Sequence, residues 1–181
     1  MQALREPGVG GQTAWRRFES LYRSSRDDVY AYVMTLLRDS AAAEDVTALA
    51  FERAYRRRRT FDRRKGEERA WLFGIARNAA LDELRRRQRM ARLVVDPAST
   101  EDPEELGIAG PDQDEILLRR ATLRHALADL SSRDRELIAL KFHAGLANSE
   151  IARVLGVSES NAGTMLYRTI QKLRKACNAP V

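Results

Sequence analysis

Residues 148–168 read NSEIARVLGVSESNAGTMLYR, and their spacing decides the architecture of the second half of the chain. Asn148, Ser149 and Glu150 open a short helix whose buried face is Ile151, Ala152 and Leu155. Gly156 supplies a tight turn, Val157 packs, and Ser158 can cap a second helix. Two helices joined by so short a turn cross closely, which calls for a small residue such as Ala152 at the crossing. The pattern is that of a helix-turn-helix. Its second helix projects the first turn outward, so that Ser158, Ser160, Asn161 and Thr164 can reach base edges in a major groove and Arg168 can meet phosphate. The plainer alternative is a helical hairpin that only packs. Gly163 lies inside the recognition helix, where glycine costs roughly 1 kcal/mol relative to alanine; it either permits close approach to a DNA backbone or is tolerated.

Upstream of the motif, Leu117, Leu118, Leu123, Leu127 and Leu130 outline one helix, and Ser131-Ser132 introduces a second that Gly145 closes. Residues 116–177 thus form one helical domain, with 178–181 a tail. Residues 93–115 hold Pro97, Pro103, Pro111 and eight acidic residues with no amphipathic period, and read as an acidic, flexible interdomain linker. Residues 14–92 read almost wholly as helix. Phe18, Leu21, Tyr22, Val29, Tyr32, Val33, Leu36 and Leu37 recur at three- and four-residue spacing, Ser40 can cap the next helix, and Val46, Leu49, Ala50 and Ala54 continue the rhythm. A basic run ending in Gly66 precedes a helix with the apolar stripe Leu72, Ile75, Ala76 and Ala79. Residues 1–13, with Pro7 and several glycines, read as a mobile tail. No strand-like alternation occurs, so the expected fold is all-α: two small helical domains and a tether.

Charge sharpens this division. Residues 1–92 carry 21 Lys and Arg against 13 Asp and Glu, residues 93–115 none against 8, and residues 116–181 carry 11 against 5. Two basic blocks flank an acidic strip, and basic blocks suit phosphate binding because neutralised phosphates release counterions. Solvated Arg-rich helix faces would give the same composition. In the first block, Asn78, Asp82, Arg85 and Arg89 fall on one stripe of a helix whose end also carries Arg86 and Arg87. The single Cys177 excludes an intramolecular disulfide, and with only His125 and His143 to help it makes no metal site. No cofactor is expected. The N-terminus lacks an apolar signal core and no stretch is long enough to span a bilayer, so a cytoplasmic protein without membrane insertion is expected.

The run FDRRKGEERAWLFGIARNAALDELRRR, residues 61–87, resembles regions 2.3 to 2.4 of extracytoplasmic-function sigma factors of the sigma-70 family. Members carry a Phe-Asp, a basic Gly loop, Trp-Leu-(Phe/Tyr)-x-Ile-Ala-Arg-Asn and an Arg-rich helix end. AEDVTALAFERAYR upstream is similar to region 2.2, and LSSRDRELIALKFHAGLANSEIARVLGVSESN resembles region 4. The resemblance implies a sigma2-like bundle that binds the beta-prime clamp helices of core RNA polymerase, through Glu44, Asp45, Ala48 and Leu49. It also implies that this bundle melts the minus-ten element, with Arg63, Arg64, Lys65 and Gly66 forming the loop that captures a flipped base and Asn78 lining its pocket, while Arg85, Arg86 and Arg89 contact DNA. A sigma4-like helix-turn-helix would bind the beta flap and read the minus-thirty-five element of promoter DNA. An anti-sigma factor is the implied regulator.

Two departures stand out. The family is polar where this chain has Ala48 and Leu49; if that face meets polymerase, Leu49→Glu should preserve or strengthen core binding. The usual Gly-Thr-Val-Lys-Ser-Arg of the recognition helix is replaced by Ser160, Asn161, Ala162, Gly163, Thr164 and Met165, so only Arg168 and the cap carry over. A stand-alone helix-turn-helix regulator is the alternative reading. An enzyme is not expected: Asp62, Glu67, Glu68 and Asp82 are interspersed with arginines as ion-pair partners are, not gathered as in a magnesium nuclease.

Overall fold

The computed structural model describes residues 9–62, 64, 66–92 and 113–178. They form α1 (Val9–Leu37), α2 (Ser40–Arg57), a 3-10 turn (Arg58–Thr60), α3 (Glu68–Ala91), α4 (Gln113–Ala128), α5 (Ser132–Phe142), α6 (Asn148–Leu155) and α7 (Glu159–Cys177), with no strand among the described residues. The expected all-α class and the two helical domains are both present. Helix α1 opens at Val9 and α4 at Gln113, so each reaches back into stretches read as tail and linker. Residues 93–112 of the linker, and the two chain ends, lie outside the described residues.

The first domain packs α1, α2 and α3 against one another. Helix α1 contributes Leu21, Val29, Tyr32, Val33 and Leu37; α2 contributes Ala43, Val46, Ala50, Phe51 and Ala54; α3 contributes Leu72, Phe73, Ile75 and four alanines. The alanines matter because side chains this small let α3 lie close to both neighbours. An aromatic layer closes the other end: Tyr22 and Phe18 meet Phe51 edge-on, with ring centroids 4.8 and 6.5 Å apart, and Phe18 meets Tyr55 at 5.2 Å.

Between α1 and α2, Arg38 takes a left-handed φ of 53° that ends the first helix. The cap of α2 is Asp39, not Ser40: its carboxylate accepts from Ala42 N–H at 3.0 Å. Both residue types cap well. Arg87, donating to the other Asp39 oxygen at 2.8 Å, holds the carboxylate in place.

Leu49 is half-buried and packs against the core. It borders the exposed face that carries Glu44, Asp45 and Ala48, about 40° from Asp45 at 100° per residue. Because Leu49 is partly packed on the core, Leu49→Glu would place part of a carboxylate against apolar surface and is expected to cost some stability.

In the second domain α7 packs on α4, α5 and α6. Ser131 caps α5, accepting from Asp134 N–H at 3.1 Å, and Gly156 ends α6 in the left-handed region at φ 69°. The two domains also touch, α1 against α5 and α3 against α6, and their buried apolar residues form one continuous cluster.

Candidate nucleic-acid interface

The helix-turn-helix is built as its spacing requires. Ile151 and Ala152 are buried at the crossing, and the turn N–H of Val157 reaches back to Ala152 O at 2.9 Å. At the start of α6 the Glu150 carboxylate accepts from Ala147 N–H at 2.8 Å. Ser158 caps α7, accepting from Asn161 N–H at 3.2 Å. Buried Ala162 and Leu166 fix which face of α7 points inward. Ser158, Ser160, Asn161, Thr164 and Arg168 are all exposed on the remaining surface. Thr164 is partly satisfied, its hydroxyl donating to Ser160 O at 3.0 Å.

Behind this surface Asp134 ties α5 to α7. Its oxygens lie 2.6 Å from Lys172 Nζ and 2.8 Å from the buried Thr169 hydroxyl. Burial opposes its ionisation, but hydrogen bonds from Lys172, Thr169 and Ser131 outweigh burial and hold its pKa below the ordinary value.

Gly163 is half-exposed on α7. A methyl group placed on it would meet the Asn148 side chain at 3.6 Å, an ordinary contact. The fold itself therefore leaves room for a side chain at this position. Gly163→Ala is expected to raise stability by about 0.5–1 kcal/mol, read as a higher thermal midpoint, with DNA affinity unchanged.

In the first domain the basic connector and α3 enclose a cavity of about 460 Å3, within the roughly 300–1,000 Å3 range of small-ligand sites. Thr60, Phe61, Asp62, Gly66, Trp71 and Asn78 line it. Asp62 shapes the connector by accepting from Arg64 N–H at 3.0 Å, and Phe61 and Trp71 stack obliquely with centroids 5.3 Å apart. Arg64 is exposed, whereas Arg63 and Lys65 lie outside the described residues.

Asn78, Asp82, Arg85 and Arg89 are all exposed, as one stripe should be. Their charges are not equally available. Arg85 lies 3.4 Å from Asp82, and Arg86 grips Glu83 with two bonds of 2.7 and 2.8 Å. Arg89 makes no ion pair among the described residues, so it is the freest cation of the set.

The Arg86 bonds above all, joined by Arg87 and opposed by burial, draw the Glu83 pKa down to about 2. A carboxylate with a depressed folded pKa stabilises above its unfolded value and loses that contribution as pH falls. Glu83 therefore contributes fully above pH ~4.5, progressively less below, and nothing once pH has fallen through about 2. Thermal melts of Glu83→Gln are expected to be less acid-sensitive in that window than those of the parent chain.

A second cleft, of about 470 Å3, lies between α1 and α2. Tyr22, Arg26, Tyr30, Glu44, Ala48 and Phe51 line it, with Thr47. The Thr47 hydroxyl is buried without a hydrogen-bond partner among the described residues. Glu44 and Ala48 are thus brought together in one concave surface; exposed Asp45 and half-buried Leu49 are not among the residues that line it.

Sequence reading missed the polar groups at the junction of the domains. Tyr32 Oη donates to Glu136 at 3.1 Å and Arg77 Nε donates to the same oxygen at 2.7 Å. Arg69 Nε donates to Ala144 O at 2.6 Å. An acid one residue from the buried Leu137 was the available signal.

Among the described residues no three metal-binding side chains gather, and no helix is long and apolar enough to cross a membrane.

Comparison with known proteins matches residues 21–90 to the family model "Sigma-70 region 2" and residues 120–173 to "Sigma-70, region 4". ECF RNA polymerase sigma factor SigL of Mycobacterium tuberculosis is 31% identical, over 86% of this chain and 85% of its own length. ECF RNA polymerase sigma factor BldN of Streptomyces coelicolor is 34% identical over 87% of this chain, which spans 59% of that longer protein. Among solved structures, CnrH in complex with the cytosolic domain of CnrY superposes with a TM-score of 0.63 at 26% identity, covering 94% of this chain and 95% of that one. The sigma factor RpoE bound to the anti-sigma factor NepR, from Bartonella quintana, superposes at 0.74 and 19% identity over 92% and 99%, a likeness of fold.

Proposed function

Because the chain belongs to the extracytoplasmic-function sigma factors of the sigma-70 family, we propose that it binds core RNA polymerase and directs promoter-specific initiation of transcription. It acts as a DNA-binding initiation factor, not an enzyme, in the cytoplasm where polymerase works. One observation carries the reading: a single chain joins a helix-turn-helix with an outward polar face to a helical bundle bearing a basic-rimmed cavity.

Region 4 reads the minus-thirty-five element through Ser158, Ser160, Asn161 and Thr164, with Arg168 on phosphate. Region 2 opens the minus-ten element. An extruded base costs a few kcal/mol of stacking and pairing, recovered in the cavity by Trp71 and Phe61 and by the Asn78 amide. Arg63, Arg64, Lys65 and the stripe ending in Arg85, Arg86 and Arg89 hold the strand's phosphates. The α1–α2 cleft takes the polymerase clamp helices, with Glu44 and Ala48 in its lining and Asp45 beside it, and a polar group of the partner would satisfy the Thr47 hydroxyl. An anti-sigma factor would compete for such surfaces.

A stand-alone helix-turn-helix regulator is disfavoured because the first domain is a sigma region 2. The two readings separate in an electrophoretic shift assay on promoter DNA. A band that requires core polymerase supports the sigma reading; an equal shift by the chain alone overturns it.

A further inference from the structure

We infer that Arg17, on α1, is a positioning residue for base capture: it holds the Phe61 ring in the cavity wall against which an extruded base stacks. This rests on the proposed role of that cavity.

Phe61 is the only hydrophobic side chain between Arg58 and Glu67. No apolar neighbour within the connector packs against its ring, so its orientation depends on other elements. Its backbone is extended after the 3-10 turn, with ψ at 122°. From α3, Trp71 meets the ring at 5.3 Å with the planes inclined by 47°. From α1, the Arg17 guanidinium carbon stands 5.5 Å from the ring centre, inside the range of about 6 Å over which a cation is drawn to an aromatic face.

Arg17 is itself held in place. Its Nε donates to Glu68 at 2.8 Å, and Glu68 is the first residue of α3, where a carboxylate suits the helix dipole. Trp15 and Phe18 meet Tyr55 edge-on at 5.8 and 5.2 Å, which seats this part of α1 on the end of α2. One guanidinium thus ties three elements: α1, the connector through Phe61, and the start of α3. Phe61 and Trp71 line the cavity, whereas Arg17 is not among its lining residues, so it acts through Phe61. It also lies upstream of residues 21–90, the stretch that matches sigma-70 region 2.

A base gains most from stacking on a face that is already in place. A ring free to turn must be ordered as the base arrives, and that ordering is subtracted from the affinity. Arg17 is engaged by Glu68, so its charge serves this geometry and not the strand's backbone. The two roles leave different signatures. A phosphate contact steepens the salt dependence of binding, by about 0.7 in slope for a single strand, while a positioning residue alters only the response to the base.

The test uses holoenzyme assembled from the full chain and core polymerase. The probes are labelled single-stranded twelve-nucleotide oligomers taken from the non-template strand of a promoter mapped with this holoenzyme, intact or with each minus-ten position in turn made abasic. Arg17→Gln is expected to lower the intact-to-abasic affinity ratio roughly three- to tenfold at the captured position, with abasic binding, salt slope and thermal midpoint nearly unchanged. The Arg17 side chain is 38% exposed, so its replacement opens no core cavity. Arg17→Lys keeps the charge but loses the planar face, and is expected to show the same loss; it replaces Arg17→Gln should the latter misfold. In a Phe61→Leu background, Arg17→Gln should cost nothing further. A parent-like ratio in Arg17→Gln overturns the inference, as does equal weakening of both probes with a shallower salt slope, or a further loss beside Phe61→Leu. A parent holoenzyme indifferent to every abasic position overturns the cavity reading, and the role of Arg17 with it.

Discussion

Phe73→Ala is expected to destabilise the chain by about 3–5 kcal/mol, lowering the thermal midpoint by roughly 6–20 °C for a chain of this size. The ring is fully buried where the two domains meet. Its edge contact with Tyr32, centroids 5.4 Å apart, and the Arg69 guanidinium 5.3 Å from its centre add to the apolar area lost. Truncation would leave a cavity that cannot collapse easily, because α3 is already drawn close by its alanines. Phe142, 66% exposed at the end of α5, provides the contrast: Phe142→Ala should stay within about 0.5 kcal/mol of the parent. Calorimetry or a denaturant titration reads both. Equal effects would mean that Phe73 is not the packing centre.

The second large effect falls on binding. Ala48→Arg should weaken association with core polymerase on the order of 100-fold, as loss of a central interface contact of 2–4 kcal/mol does, while stability changes by no more than about 0.5 kcal/mol. Ala48 is exposed, so a larger side chain there disturbs no core residue, yet it would fill the cleft that Tyr22, Tyr30, Glu44 and Phe51 share with it. Fluorescence anisotropy with labelled chain and purified core enzyme measures the loss. Undiminished binding by a folded Ala48→Arg chain would move the polymerase contact off this cleft.

Much of this architecture was legible because its determinants are local. Ala152, Gly156 and Ser158 act within a few residues of one another, and crossing, turn and cap all formed where the spacing put them. The exposure of Asn78, Asp82, Arg85 and Arg89 followed from helical periodicity alone. What escaped depends on distant partners. Asp39 caps α2 with its other oxygen held by Arg87, 48 residues away, and nothing adjacent distinguishes it from Ser40. Glu136 sits in a charged-looking run, and its burial depends on Tyr32, 104 positions upstream. Leu49 departs from the family's polar pattern, and only the packing of α2 against α1 and α3 decides that it is half-buried. Gly163 was ambiguous for the same reason: its neighbour is Asn148, on the other helix of the motif.

The most direct test of the central claim is transcription in vitro over a fragmented genomic template, with start sites mapped for core polymerase alone, the chain alone, and both together. The account predicts defined start sites only when both are present, preceded by shared sequence elements near minus ten and minus thirty-five. Start sites that are the same with core polymerase alone as with the chain added would contradict it.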